Sequence, residues 1–300
     1  MASSLLSSPL ICQSDHVPGA TLRSYPARLL AIWHLTSLDA PSVAVVWAYA
    51  IAHTANIRLE PWIALLLATG TWTVYVVDRI LDARRAISSN TPAILRERHH
   101  FHWRHRRLLT TLASCTGLTA AAIIVRLMPV RAREHDSIIA AAALAYFSGV
   151  HSSARFPAWL RRLCSKEMLV GILFAAGCAA PTLTRIHSAS PWPAILSLSF
   201  LAGLAWLNCA AIARWESHIS STRISVLALT IALSGFAIAA ALPPGLARTS
   251  ALFFCASASA LMIAALDCFR HRIDAVTLRA LADLVLLAPA FLLFARALPA

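Results

Sequence analysis

Lysine is all but missing from this chain. Of 26 basic residues only Lys166 is lysine, the acids number 13, and charged side chains make up 13% of 300 residues. So little charge excludes a soluble enzyme, a disordered chain and a simple one-span receptor. Cysteine occurs at Cys12, Cys115, Cys164, Cys178, Cys209, Cys255 and Cys268, an odd number without CxxC or CxxxC spacing, which argues against a zinc site and a disulfide framework. The N-terminal stretch has no basic residue before Arg23, so it lacks the basic start of a secretory signal. Apolar residues do not alternate with polar ones, which excludes a transmembrane β-barrel.

What remains is apolar: 59% hydrophobic residues and a mean hydropathy of +0.68. About 20 such residues span a bilayer, and hydropathy marks nine segments, residues 40–57, 62–80, 108–127, 137–149, 168–183, 194–214, 224–242, 251–267 and 278–294. The expectation is an all-α, polytopic membrane protein of about nine transmembrane helices, with a flexible tail over residues 1–28 and one membrane domain over 29–300. If the N-terminus is cytoplasmic, 19 of the basic residues fall on the cytoplasmic side and seven on the other, and this excess places the C-terminus opposite. The Ser-rich, acid-poor start reads as a bacterial tail rather than an organellar transit peptide, so the expected location is a bacterial inner membrane.

Seven of the acids, Asp39, Asp78, Asp82, Glu167, Glu216, Asp267 and Asp283, lie near the inside ends of these segments. Carboxylates there are costly, and several at one face point to a functional pocket. Asp39 reads as an N-terminal helix cap. Asp283 sits in an apolar run and is expected to pair with Arg279, one turn earlier. Asp78 and Asp82, spaced i and i+4 on a helix, share a face and repel unless a cation intervenes. Mg²⁺ shared with a phosphate would serve, since it takes one or two carboxylates plus phosphate oxygens. Arg79, Arg84 and Arg85 could instead neutralise the pair as a salt-bridged helix end.

Asp78-Arg79-Ile-Leu-Asp82, ending the second of nine segments, resembles the latter half of the aspartate signature of UbiA-type intramembrane prenyltransferases. The resemblance implies helices around a central cavity, with Asp78 and Asp82 binding Mg²⁺ and the diphosphate of an isoprenyl donor. Val74 and Tyr75 stand where the family has Asn and its first Asp. The second motif of that family matches Asn208, Ile212 and Glu216 at the end of the sixth segment, where only Glu216 is acidic. The stretch from Tyr146 through Arg155 to Lys166 resembles the family's diphosphate-contacting loop and fifth helix. Catalytic roles thus fall to Asp78, Asp82 and Glu216, and substrate contacts to Arg79, Arg84, Arg85, Arg155, Lys166 and Asn208. The departures equally suit a non-catalytic lipid-binding or assembly protein that keeps the fold.

The run from Leu95 to Arg107 holds four histidines and five arginines. It reads either as a cap helix contacting diphosphate or as a basic segment on anionic headgroups. A di-iron site would need further His clusters, yet His151, His218 and His271 are isolated. Nucleic acid is excluded as a partner because no soluble domain presents the basic loops. The expected partners are an isoprenyl diphosphate and membrane lipid.

Overall fold

The computed structural model describes residues 25–88, 97–151, 166–186, 191–216 and 223–295. The regular structure among them is helical: α1 (Tyr25–Leu35), α2 (Asp39–Thr54), α3 (Pro61–Ser88), α4 (Glu97–Arg104), α5 (Arg106–Leu127), α6 (Val130–His151), α7 (Lys166–Leu183), α8 (Trp192–Glu216), α9 (Arg223–Ala241), α10 (Ala247–Phe269), α11 (Ala275–Val285) and α12 (Ala290–Ala295). Helix α1 begins inside the stretch read as tail.

Six helices, α3, α5, α7, α8, α9 and α10, are long and apolar enough to cross a membrane, and α1 with α2 makes a seventh if that bent pair is one span. The chain is an integral membrane protein. All nine apolar segments fall on helix, but the count of self-sufficient spans among the described residues is lower than nine, for physical reasons. Segment 137–149 lies in α6, whose first two turns carry Arg131, Arg133, Glu134 and Asp136. Segment 278–294 breaks into α11 and α12, because Pro289 cannot donate to the carbonyl four residues back and its ring crowds it. Carbonyls at that break are satisfied from other helices: Ser259 Oγ donates to Val285 O at 2.7 Å and Trp47 Nε1 to Leu286 O at 2.9 Å.

Between α1 and α2 the axis turns by 85°. Ser37 makes the turn with φ 61°, a left-handed conformation uncommon outside glycine, while Leu38 N–H closes back on Trp33 O. The bend folds His34, near the end of α1, back over Asp39 at the start of α2.

Helix α2 is the hub. It packs against α3, α7, α8, α10, α11 and α12, and Val43, Ala44, Trp47, Ala48, Ala50, Ile51 and Ala52 are all buried. With Leu201, Leu204 and Leu207 of α8 and Leu252 and Ile263 of α10 it forms the main core. Small residues one turn apart let the backbones approach: Gly171, Ala175 and Ala179 on α7, Ala228 and Ala232 on α9, Ala256 and Ala260 on α10. A Cβ on Gly171 would sit 2.7 Å from Trp206 N and 2.9 Å from Ala202 O, so α7 meets the α8 backbone there. By contrast α5 and α6 leave Leu118, Val125, Ile138 and Leu144 exposed, an apolar surface suited to lipid.

Candidate functional site

Two polar regions lie at the end of the bundle where α2, α7 and α11 start and α3 and α8 finish. The first closes an apolar groove. Helices α2, α3, α6 and α7 enclose a cavity of about 510 Å³, walled by Leu67, Val74, Ile139, Leu173 and Phe174 among others, with Asp78, Tyr146 and Lys166 at the end towards these termini. Asp136 reaches the same cavity from the opposite side. Leu67 and Asp78 are eleven residues apart on α3, so the groove runs about 16 Å along that helix. Its size falls within the range of about 300–1,000 Å³ common for small-ligand sites.

Of the residues expected from sequence to form one site, this groove unites Asp78 and Lys166. Asp82 is one turn beyond Asp78, half-buried, and does not line it; Arg84 and Arg85 are exposed. Arg155 lies outside the described residues. Arg79, Asn208 and Glu216 are engaged elsewhere.

Arg79 belongs to the second region. Its Nη2 donates to Asp39 Oδ2 at 3.1 Å and its Nη1 to His34 O at 3.0 Å. His34 Nδ1 is 2.7 Å from the same Asp39 oxygen and 3.6 Å from Asp283 Oδ2. Asp39 Oδ1 accepts from Ala40 N–H at 2.9 Å, and Asn208 Nδ2 donates to Asp283 Oδ1 at 2.8 Å. Asp39 is 1% and His34 2% exposed, so the pairing is what makes these charges tolerable. The helix-cap role expected for Asp39 is corrected: Leu38 is the N-cap and caps without its side chain. The Asp283–Arg279 pair is corrected as well, since Asp283 bonds Asn208 and faces His34 while Arg279 pairs with Glu216.

Further latches hold the same end together. Glu216 closes α8 on Arg279 of α11 and on Arg98 of α4, the latter at 3.6 Å. Asp267 accepts from Trp215 Nε1 at 2.8 Å, Ser225 Oγ at 2.6 Å and Arg270 Nη1 at 2.9 Å, tying α8, α9 and α10. In α4, His102 is fully buried, with Nε2 3.2 Å from Ser37 Oγ and Nδ1 2.8 Å from Arg98 O. Burial pushes its pKa down from 6.5 to about 4, so it is neutral at pH 7. The acids expected to converge therefore do share an end, but most meet basic or polar partners rather than an open pocket. His34 and Ser37 were not singled out from sequence; the only signal was a polar His-Leu-Thr-Ser-Leu-Asp stretch between two apolar runs.

No protein-family model, curated protein or solved structure matches this chain.

Proposed function

We propose that the chain is a UbiA-like membrane prenyltransferase that takes an isoprenyl diphosphate into the groove between α3, α6 and α7 and transfers the isoprenyl group to an acceptor. The observation that carries this reading is an apolar groove whose one end presents Asp78 and Lys166. A greasy tail fits along Leu67, Val74 and Leu173, and an anionic head fits the Lys166 ammonium. The residues also fit Mg²⁺: Asp78 with Asp82, one turn on, supplies the one or two carboxylates that the ion combines with phosphate oxygens. Bound there, the ion would neutralise charge on the departing diphosphate. Lys166 adds a second positive charge at the same end, and the aromatic side chains of Tyr146 and Phe147, which line the cavity, would stabilise an allylic cation there. When the carbon–oxygen bond breaks, its electron pair leaves with the diphosphate, and the acceptor supplies the pair for the new bond.

The nine apolar segments would form a ring of crossings, with α11 and α12 as one broken crossing and α6 as another. The arginine bias sets the N-terminus and the Asp78 end in the cytoplasm of a bacterial inner membrane. A reporter fused after Ala300 should then be active only on the opposite side.

A second reading has its own support. Arg79, Asn208 and Glu216 are held in other contacts, which leaves Asp78 and Lys166 as the charged groups at that end of the groove among the described residues. A non-catalytic lipid-binding protein would need no more. Purified protein incubated with a panel of isoprenyl diphosphates separates the two: Mg²⁺-dependent release of diphosphate is expected of the enzyme, and ligand retained intact is expected of the binder.

A further inference from the structure

The His34, Asp39 and Asp283 group takes no part in the groove, yet its chemistry is that of a ligand set. We propose that these three side chains, with Asn208 Oδ1 as a fourth donor, bind a divalent transition-metal ion of the Zn²⁺ or Mn²⁺ type.

The donors come from α1, α2, α8 and α11 and are brought together by the bend at Ser37. One imidazole nitrogen and two carboxylate oxygens lie within 4.8 Å of one another, a spacing that ligands around one small ion occupy after slight closure. Arg79 pairs with Asp39, whereas Asp283 has the imidazole of His34 and the amide of Asn208 beside it. An ion bound at Nδ1 needs the lone pair of that nitrogen, so a proton held there leaves to solvent as the ion binds.

A second observation points to an occupant. Asn208 is 5% exposed, its Nδ2 is fixed on Asp283, and its Oδ1 has no hydrogen-bond partner among the described residues. A buried amide oxygen without a partner is costly. Asn208 lines a cavity of about 40 Å³ together with Asp39, Asp283, Tyr75 and Cys209. That is room for an ion's remaining water ligand, since one water needs only about 10–15 Å³ on this measure. The imidazole selects against Mg²⁺, which prefers oxygen, and for Zn²⁺ or Fe²⁺, while the carboxylate and amide oxygens also accommodate Mn²⁺. Arg79 then acts as an orienting partner, holding Asp39 Oδ2 and the His34 carbonyl in place.

The test uses the full chain in detergent, stripped with chelator, loaded with Zn²⁺ or with Mn²⁺ and desalted. Metal content is measured beside the melting temperature, and the Mn²⁺ sample is examined by pulsed electron paramagnetic resonance for a nitrogen coupling. Expected are one ion per chain, a metal-dependent rise in melting temperature and the nitrogen coupling of a bound imidazole. Asp283→Asn, which keeps the shape of the partner of Asn208, should weaken the ion at least about tenfold, and His34→Gln should abolish the nitrogen coupling. Asp78→Asn should leave all three readings as in the wild type, which separates this site from any ion at the groove. Wild type without bound metal after loading, metal without nitrogen coupling, or binding that follows Asp78 and not Asp283 would each overturn the proposal.

Discussion

Asp78 and Arg79 are neighbours on α3, but they face different interiors. Arg79 turns towards α1 and α2, where it completes a closed set of charges around Asp39. Asp78 turns towards α6 and α7 and lines a cavity with Lys166. The first environment is packed and its carboxylates have partners on three helices; the second has volume, an apolar wall and charge at its end. Burial of charge alone therefore does not identify a ligand site in this protein. What distinguishes the groove is space beside the charge, and what marks the cluster is two buried polar atoms, Asn208 Oδ1 and His34 Nε2, that have no hydrogen-bond partner among the described residues.

The comparison is broken most sharply at Arg79. Replacing Arg79 with Ala removes the arginine from buried Asp39, leaving it His34 and the Ala40 N–H, and loss of one member of such a buried pair costs up to about 3–5 kcal/mol. A large fall in melting temperature is expected, whereas Arg84→Ala, on the exposed face of the same helix, should change stability by no more than about 0.5 kcal/mol. Equal effects of the two would mean that the cluster is not the structural element described. Helix α7 offers a second contrast, because one of its glycines meets the α8 backbone and another lines the groove. Gly171→Ala forces a Cβ onto Trp206 N and Ala202 O and should cost about 1–3 kcal/mol.

A third contrast is one of pH. Buried neutral His102 has a folded-state pKa of about 4, below the ordinary 6.5. Its contribution is complete above about pH 6.5 and is lost as pH falls towards 4, because the unfolded chain binds the proton more readily. At pH 5 the loss is about 2 kcal/mol, read as a lower melting temperature than at pH 7 and as faster amide exchange in α4. His102→Asn should flatten that dependence. The smallest effect belongs to Gly177→Ala: nothing lies within 4 Å of the added Cβ, so stability should stay within about 0.5 kcal/mol. Gly177→Leu should instead fill the groove and weaken binding of an isoprenoid tail without unfolding the protein.

These contrasts show which parts of the structure the residues announced. Continuous apolar runs marked the six long membrane helices, but the last run was expected to pass unbroken through Pro289, where the structure splits it into α11 and α12. The gathering of Asp39, Glu216 and Asp267 at one end was legible as well, because each lies at the edge of an apolar run, whereas Asp283 sits inside one near its inner end. Pairing was not. Arg279 is one turn from Asp283, and spacing along the helix joins them; packing of α8 against α11 gives Arg279 to Glu216 and Asn208 to Asp283. Such partners depend on how each helix is rotated about its axis, and that rotation is set by contacts such as Gly171 on α8 and Trp47 on the α11–α12 break, far along the chain. The turn at Ser37 was equally hidden, since a serine carries little sign that it will adopt a positive φ. At Asp78 and Asp82 the i, i+4 spacing gave a shared helical face, but it could not say that Asp78 reaches the cavity while Asp82 lies beyond its lining.

The groove with Asp78 and Lys166 at its end is tested most directly by melting the wild type and Asp78→Asn with and without Mg²⁺ plus an isoprenyl diphosphate. A ligand present at about 100 times its Kd adds about 2.7 kcal/mol to the state that binds it, a shift well above error. The account predicts a rise in melting temperature for the wild type, dependent on both Mg²⁺ and the diphosphate, and no rise for Asp78→Asn, whose melting temperature without ligand stays close to that of the wild type. No rise in the wild type, or an equal rise in both proteins, would contradict it.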